Sequence, residues 1–189
     1  EVHHRVKNNI NIIASLLSLQ EQTVESSDGK QALNEARNRV VSMQKLYAHL
    51  FQSDEYSVVD LGVYLNDIIQ EIIGTYSSSS ITIYCELDEM QAEVNQAVPL
   101  GIVLNELVVN AVKYAFREGD SGRIEILLKK KGLGRGELTI QDNGIGLPEE
   151  INPDTAAGFG LTLVHNLVAQ IHGSLEVERG GGTTFRIIF

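Results

Sequence analysis

Residues 106–114 read Glu-Leu-Val-Val-Asn-Ala-Val-Lys-Tyr. Spacings of four and three put Glu106, Asn110 and Lys113 on one stripe of a helix. Every position between them is apolar. A polar stripe inside so apolar a helix has to find partners if it is buried. The chain must therefore pack this helix into a core while leaving the stripe facing something polar, and a bound ligand meets that demand.

Three glycine-bearing segments follow in order: Asp142-Asn143-Gly144-Ile145-Gly146, Gly158-Phe159-Gly160-Leu161 and Gly180-Gly181-Gly182-Thr183. Each is weak alone. Asp-Asn-Gly is turn chemistry, glycines before helices are common, and a glycine run between two strands reads as a hairpin turn. Each also suits a nucleotide. A carboxylate at Asp142 can accept from an adenine amino group, and Gly144 and Gly146 let the backbone pass close to the base. A glycine approach to a helix N-terminus suits phosphate, and Thr183 offers a hydroxyl at the adenine end. An amide oxygen at Asn110 can ligate Mg²⁺, whose other ligands are waters and phosphate oxygens. Lys113 can meet phosphate charge. The Pro- and Ala-containing stretch 147–157 suits a small lid.

Around these segments the pattern from Asp60 is α+β. Asp60 is placed to cap a helix containing Leu61, Leu65, Ile68, Ile69 and Ile72, and Ser77–Ser80 breaks it. Residues 81–85 alternate like a strand. Pro99 is expected to open the long apolar helix, which runs to about Phe116. Residues 123–130 and 137–141 read as strands joined by a Gly-rich hairpin. A helix over 160–172 and strands at 174–178 and 184–189 close the domain. The expected architecture is a two-layer sandwich of helices on a mixed or antiparallel sheet.

The first 54 residues differ. Val6, Ile10, Ile13 and Leu17 step by four, three and four, and Leu33, Ala36, Val40, Met43, Tyr47 and Leu50 step likewise, which predicts two helices. Ser26-Ser27-Asp28-Gly29 reads as the turn between them, and 52–57 as a linker. Ile12, Leu16 and Leu19 make a second apolar stripe on the first helix, so the hairpin is expected to pair with another copy as a four-helix bundle.

The net charge of −10 argues against a general nucleic-acid binder. The single Cys85 cannot form an internal disulfide, and a reducing compartment is expected. No apolar run reads as a membrane span. The chain begins on Glu1 at the edge of a motif, so it reads as a piece of a longer protein.

Together the four segments of 106–183 resemble the ATP-binding fold shared by histidine kinases, type II topoisomerases, HSP90-like chaperones and mismatch-repair ATPases, over about residues 60–189. Residues 1–9, Glu-Val-His-His-Arg-Val-Lys-Asn-Asn, resemble the phosphoacceptor box of the histidine kinases marked by His-Arg-Val-Lys-Asn, relatives of the HWE kinases; the Trp-x-Glu of that group is absent. The resemblance implies a sensor histidine kinase core in two parts, a dimerisation and phosphotransfer hairpin over 1–54 and a catalytic ATP-binding domain over 55–189. It implies that His4, directly before Arg5, is the phosphoacceptor, with Glu106 near the metal and phosphates as the second catalytic residue. Asn110 would ligate Mg²⁺ and Asp142 would read adenine. Lys113, Tyr114, Gly144, Gly146, Gly158, Phe159, Gly160, Leu161 and Thr183 complete the expected ATP site.

Geometry adds that His4 lies roughly opposite the Val6–Ile10–Ile13–Leu17 seam at about 100° per residue, whereas His3 lies at the seam's edge. His3, His49, His165 and His172 read as structural. Many histidine kinases have an acidic residue after the acceptor; here Arg5 stands there, and the general base is unassigned. The implied partners are a receiver domain of a response regulator and a second copy of the chain, with no nucleic acid, in the cytoplasm. Two rivals stay open: an ATP-gated conformational ATPase, in which Glu106 would activate water, and a degenerate kinase acting as a docking scaffold.

Overall fold

A computed structural model describes the backbone of residues 2–50, 58–76, 80–117, 119–132, 134–148 and 159–189, and within those the side chains except at 2–7, 43, 45–50 and 159. The expected linker at 52–57 and most of the expected lid lie outside the described residues. The chain divides into two compact units, Glu1–Tyr56 and Ser57–Phe189.

The first unit is the helical hairpin, α1 (Val2–Thr23) and α2 (Ser27–Leu50). The expected turn is shorter than 26–29. The Ser26 hydroxyl accepts from the Gly29 backbone N–H at 3.1 Å, so Ser26 caps α2, and Ser27, Asp28 and Gly29 form its first turn. Asp28 adds negative charge at the helix's positive end. The seam also shifts. Ile10, Ala14, Leu17 and Glu21 are half-buried while Ile13 is 48% exposed, because steps of four, three and four from Ile10 run through Ala14 rather than Ile13. Ile13 joins Ile12, Leu16 and Leu19 on an exposed apolar stripe.

The second unit is an α+β sandwich. Its elements are β1 (Val58–Asp60), α3 (Leu61–Tyr76), β2 (Ile81–Leu87), β3 (Gln91–Glu93), α4 (Val94–Asn110), a π turn (Ala111–Ala115), β4 (Gly122–Lys130), β5 (Gly136–Asp142), α5 (Phe159–Gln170), β6 (Ser174–Arg179) and β7 (Thr183–Ile188). Five strands form a mixed sheet in the order β2-β4-β5-β7-β6, with only β2 and β4 parallel. Strict alternation along β4 buries Ile124, Ile126 and Leu128, and Leu138, Ile140, Phe185 and Ile187 continue that face on β5 and β7. The core lies between this face and the helices.

Asp60 caps α3, accepting from the Val63 N–H at 3.1 Å. β1 and β3 form a separate antiparallel pair that the sequence pattern did not suggest. Pro99 does not open α4; the helix starts five residues earlier and holds Pro99 inside it. Only Val94 of the Val94-Asn95-Gln96 turn is apolar, in step with Ala97 and Val98, so the turn gives a weak sign of a helix beside the stronger signal of Pro99. Against the expectation of no membrane-length run, Val94–Ala115 is long and apolar enough to cross a bilayer by length and composition. Its apolarity serves the core: Leu100, Val103, Leu104, Leu107 and Val108 are all at most 2% exposed.

Candidate functional site

Asp142 is the last residue of β5, with Cα partners Ile124 on β4 and Thr183 on β7. Directly paired residues share a face of the sheet, so Asp142 and Thr183 lie side by side on the helix-covered face. Both are buried, at 6% exposure. A buried carboxylate needs donors. The Gly144 N–H supplies one, reaching Asp142 Oδ1 at 2.9 Å. The turn reading of Asp-Asn-Gly therefore holds alongside any ligand role.

Main-chain contacts tie this turn to two other motifs. The Ile145 N–H donates to the Ala115 carbonyl at 2.8 Å, and a Cβ at Gly144 would collide with that carbonyl and with the Ala115 side chain. Gly182 has φ +125, and a Cβ there would run into the Asp142 carbonyl. Segments 106–115, 142–146 and 180–183 thus form one cluster, linked by backbone where no side chain fits.

On the helix side, Glu106 is 4% exposed, and Asn110, one turn later, ends α4 half-buried. The stripe does not continue as a plain α-helix. Residues 111–115 form a π turn, a feature frequent at functional sites. Lys113 and Tyr114 on this turn are exposed, Tyr114 to 61%, and Lys113 Nζ stands 5.9 Å from the centroid of the Tyr76 ring.

The third glycine segment is only partly described. Gly158 and the Phe159 side chain lie outside the described residues. Gly160 is half-buried in the first turn of α5. Leu161 is 8% exposed and shares the core face of α5 with Val164 and Val168, so packing accounts for it. His3 and His4 stand in the first turn of α1, and their side chains are outside the described set. His172 has φ +57. Its N–H donates to the Ala169 carbonyl and that of Gly173 to Val168, each at 3.0 Å, which is a Schellman end to α5. That gives this histidine a structural role.

The sequence pattern missed Asn143. Its Oδ1 accepts from the Arg123 N–H at 2.7 Å, and its own N–H donates to the Arg123 carbonyl at 3.2 Å. Only the register of β4 against β5 reveals this. Among the described residues no three His, Cys, Asp or Glu side chains gather as a metal site. The cluster instead offers the Asp142 carboxylate beside close-approach backbone, the buried Glu106 carboxylate one turn before the end of an apolar helix, and an amide and an ammonium at that end.

Residues 1–76 match the model of a family described as histidine kinase. Residues 95–189 match that of the histidine kinase-, DNA gyrase B- and HSP90-like ATPases. The sensor histidine kinase PdtaS of Mycobacterium tuberculosis is 30% identical over 197 residues, a match that covers 99% of this chain and 38% of that protein. Blue-light-activated histidine kinase 2 of Erythrobacter litoralis is 28% identical over 188 residues, covering 97% and 54%. The chain therefore spans between about two fifths and half of these relatives. The solved histidine kinase domain of an Erythrobacter litoralis blue-light activated histidine kinase superposes with a TM-score of 0.74 at 23% identity over 95% of each chain, a likeness of fold.

Proposed function

The chain belongs to the histidine kinase family, and from that premise we propose that it is the catalytic core of a sensor histidine kinase: it binds Mg-ATP in the second unit, phosphorylates His4 in the first, and passes the phosphoryl group to an aspartate of a response-regulator receiver domain. The observation that carries the reading is the backbone cluster joining Asp142 to Ala115 and Gly182, which brings three ATP-motif segments together within a match to an ATPase family.

In this reading the Asp142 carboxylate keeps one oxygen on Gly144 and offers its other acceptor capacity to the adenine amino group. Gly144, Gly146 and Thr183 surround the base, and Gly158, Phe159, Gly160 and Leu161 form the approach to α5. Lys113 and Tyr114 meet the phosphates. Asn110 fits Mg²⁺, a metal that takes one or two protein oxygens and fills its remaining sites with phosphate and water; Glu106 stands one turn away. Mg²⁺ held there would neutralise charge on the phosphate oxygens. The His4 imidazole attacks the γ-phosphorus in line, and ADP leaves. The exposed stripe of Ile12, Ile13, Leu16 and Leu19 suits a homodimeric four-helix bundle. Residues 1–54 would serve dimerisation and phosphotransfer, and residues 55–189 catalysis, in the cytoplasm.

The test is incubation with Mg²⁺ and γ-labelled ATP, followed by acid and base challenge of the protein-bound label. Acid-labile, base-stable label that is lost in His4→Gln and kept in His3→Gln is expected. Label lost only in His3→Gln would move the acceptor. ATP turnover without label would mean a conformational ATPase, and no nucleotide binding would mean a scaffold.

A further inference from the structure

Lys113 is the one basic residue in the whole of Val94–Ala115, and among the described residues no carboxylate pairs with it. What it meets is an aromatic face: its ammonium lies 5.9 Å from the centre of the Tyr76 ring, within the reach of a cation–π contact. Tyr76 is the last residue of α3 and is 37% exposed. It lines a groove of about 290 Å³ together with Ile72 of α3, Ile81 and Ile83 of β2, and Val112 of the π turn. The ring is thus a platform at an apolar groove, set against the turn that carries Lys113.

The kind of partner matters. A carboxylate would hold the ammonium by cancelling its charge, and would then compete with any incoming polyanion. A ring attracts the cation through its quadrupole and leaves the full positive charge in place. It occupies one side of the ammonium, while the N–H donors on the far side can still bond phosphate oxygens. A long exposed lysine otherwise loses rotamer freedom when it binds, and a platform removes part of that loss beforehand.

We propose that Tyr76 is a positioning residue for Lys113, confining its ammonium beside the end of α4 with its charge intact for the polyphosphate of a bound nucleotide. This rests on the reading of Lys113 as a phosphate-binding residue.

The test uses the 189-residue chain and calorimetric titration with Mg-ATP and with AMP, on wild type, Lys113→Met, Tyr76→Leu, Tyr76→Phe and the Lys113→Met/Tyr76→Leu double variant. Tyr76→Leu is expected to weaken Mg-ATP about two- to fivefold, the range of an exposed cation–π contact, and to leave AMP unchanged. Tyr76→Phe keeps the ring and should bind as wild type. In the Lys113→Met background, Tyr76→Leu should add nothing. A Tyr76→Leu defect that persists in that background, or that weakens AMP equally, would mean a packing role and overturn the proposal, as would wild-type Mg-ATP affinity in Tyr76→Leu alongside a defect in Lys113→Met. Wild-type affinity in Lys113→Met would remove the phosphate role of Lys113 itself, and the platform's purpose with it.

Discussion

Asn143 extends the pairing of β4 and β5 one residue past the last ladder partner, with both its side-chain oxygen and its backbone N–H bonded to the main chain of Arg123. Asp142 immediately precedes it, so the pairing fixes where the buried carboxylate ends up. Asn143→Ala removes an acceptor at 2.7 Å and should cost about 1 kcal/mol of stability, with weakened ATP binding. Asn143→Asp keeps the acceptor and should recover most of both. Chemical denaturation and ATP titration of the two variants check this.

Asp142→Asn retains an oxygen for the Gly144 N–H, so the turn should survive. It replaces the other oxygen with a donor, which an adenine amino group cannot use. ATP binding should fall at least roughly tenfold, the cost of an unmade buried hydrogen bond, with far-UV circular dichroism unchanged. Wild-type ATP affinity in this variant would mean that Asp142 holds the turn alone.

Gly182→Ala should be more damaging than its size suggests. The backbone sits at φ +125, and the added methyl group would meet the Asp142 carbonyl. Strain of this kind costs about 1–3 kcal/mol. Gly181→Ala also has positive φ, at +65, but open space for its Cβ, so it should cost less. The difference in denaturation midpoint between the two reports the contact with Asp142 together with the greater backbone strain at φ +125.

His172→Gly should stabilise the protein. A left-handed residue with a Cβ pays about 1–2 kcal/mol, and the extra freedom of glycine in the unfolded chain returns part of it. A gain of about 0.5–1 kcal/mol is expected, read as a rise in thermal midpoint. A fall would mean that the imidazole makes a contact worth more than the backbone strain.

Asp88 supplies a pH dependence. Its carboxylate accepts from the Lys130 N–H at 3.0 Å, with Lys129 nearby, and these hold its pKa below the usual value, the backbone hydrogen bond contributing most. A lowered folded-state pKa gives stability that is present above the unfolded value and lost as pH falls through the folded one. Asp88→Asn should therefore lower the thermal midpoint slightly at neutral pH, and the two proteins should converge below the ordinary carboxylate range. A gap that stays constant with pH would exclude the charge as its source.

Much of this architecture was legible because it is periodic. The helical steps of the hairpin, the alternation in β2 and β4 and the capping Asp60 all appear in the sequence as repeating or positional chemistry. What escaped is what has no period. Strands β1 and β3 are three residues each, too short to alternate. The start of α4 is a turn with one apolar residue, Val94. The left-handed end of α5 falls on His172, where glycine would have announced it. The candidate site was legible as residue types in order, but the forces assembling it were not, because Ala115, Gly144 and Gly182 act through main chain and through the absence of side chains.

The π turn after Asn110 has a consequence for how this protein tolerates length changes. A π turn holds one residue more than an α turn, so deleting one residue within 111–115 would let the segment tighten into an ordinary α-helix while the chain beyond keeps nearly its present direction. A one-residue deletion inside α4 has no such slack and would swing everything beyond it by about 100° about the helix axis. Lys113 and Tyr114 would then leave the side they now occupy, and the Ala115 carbonyl would turn away from Ile145. Five residues that could pass for a frayed helix end thus act as an expansion joint, absorbing a one-residue change between the amide end of the helix and the loop that carries the buried carboxylate.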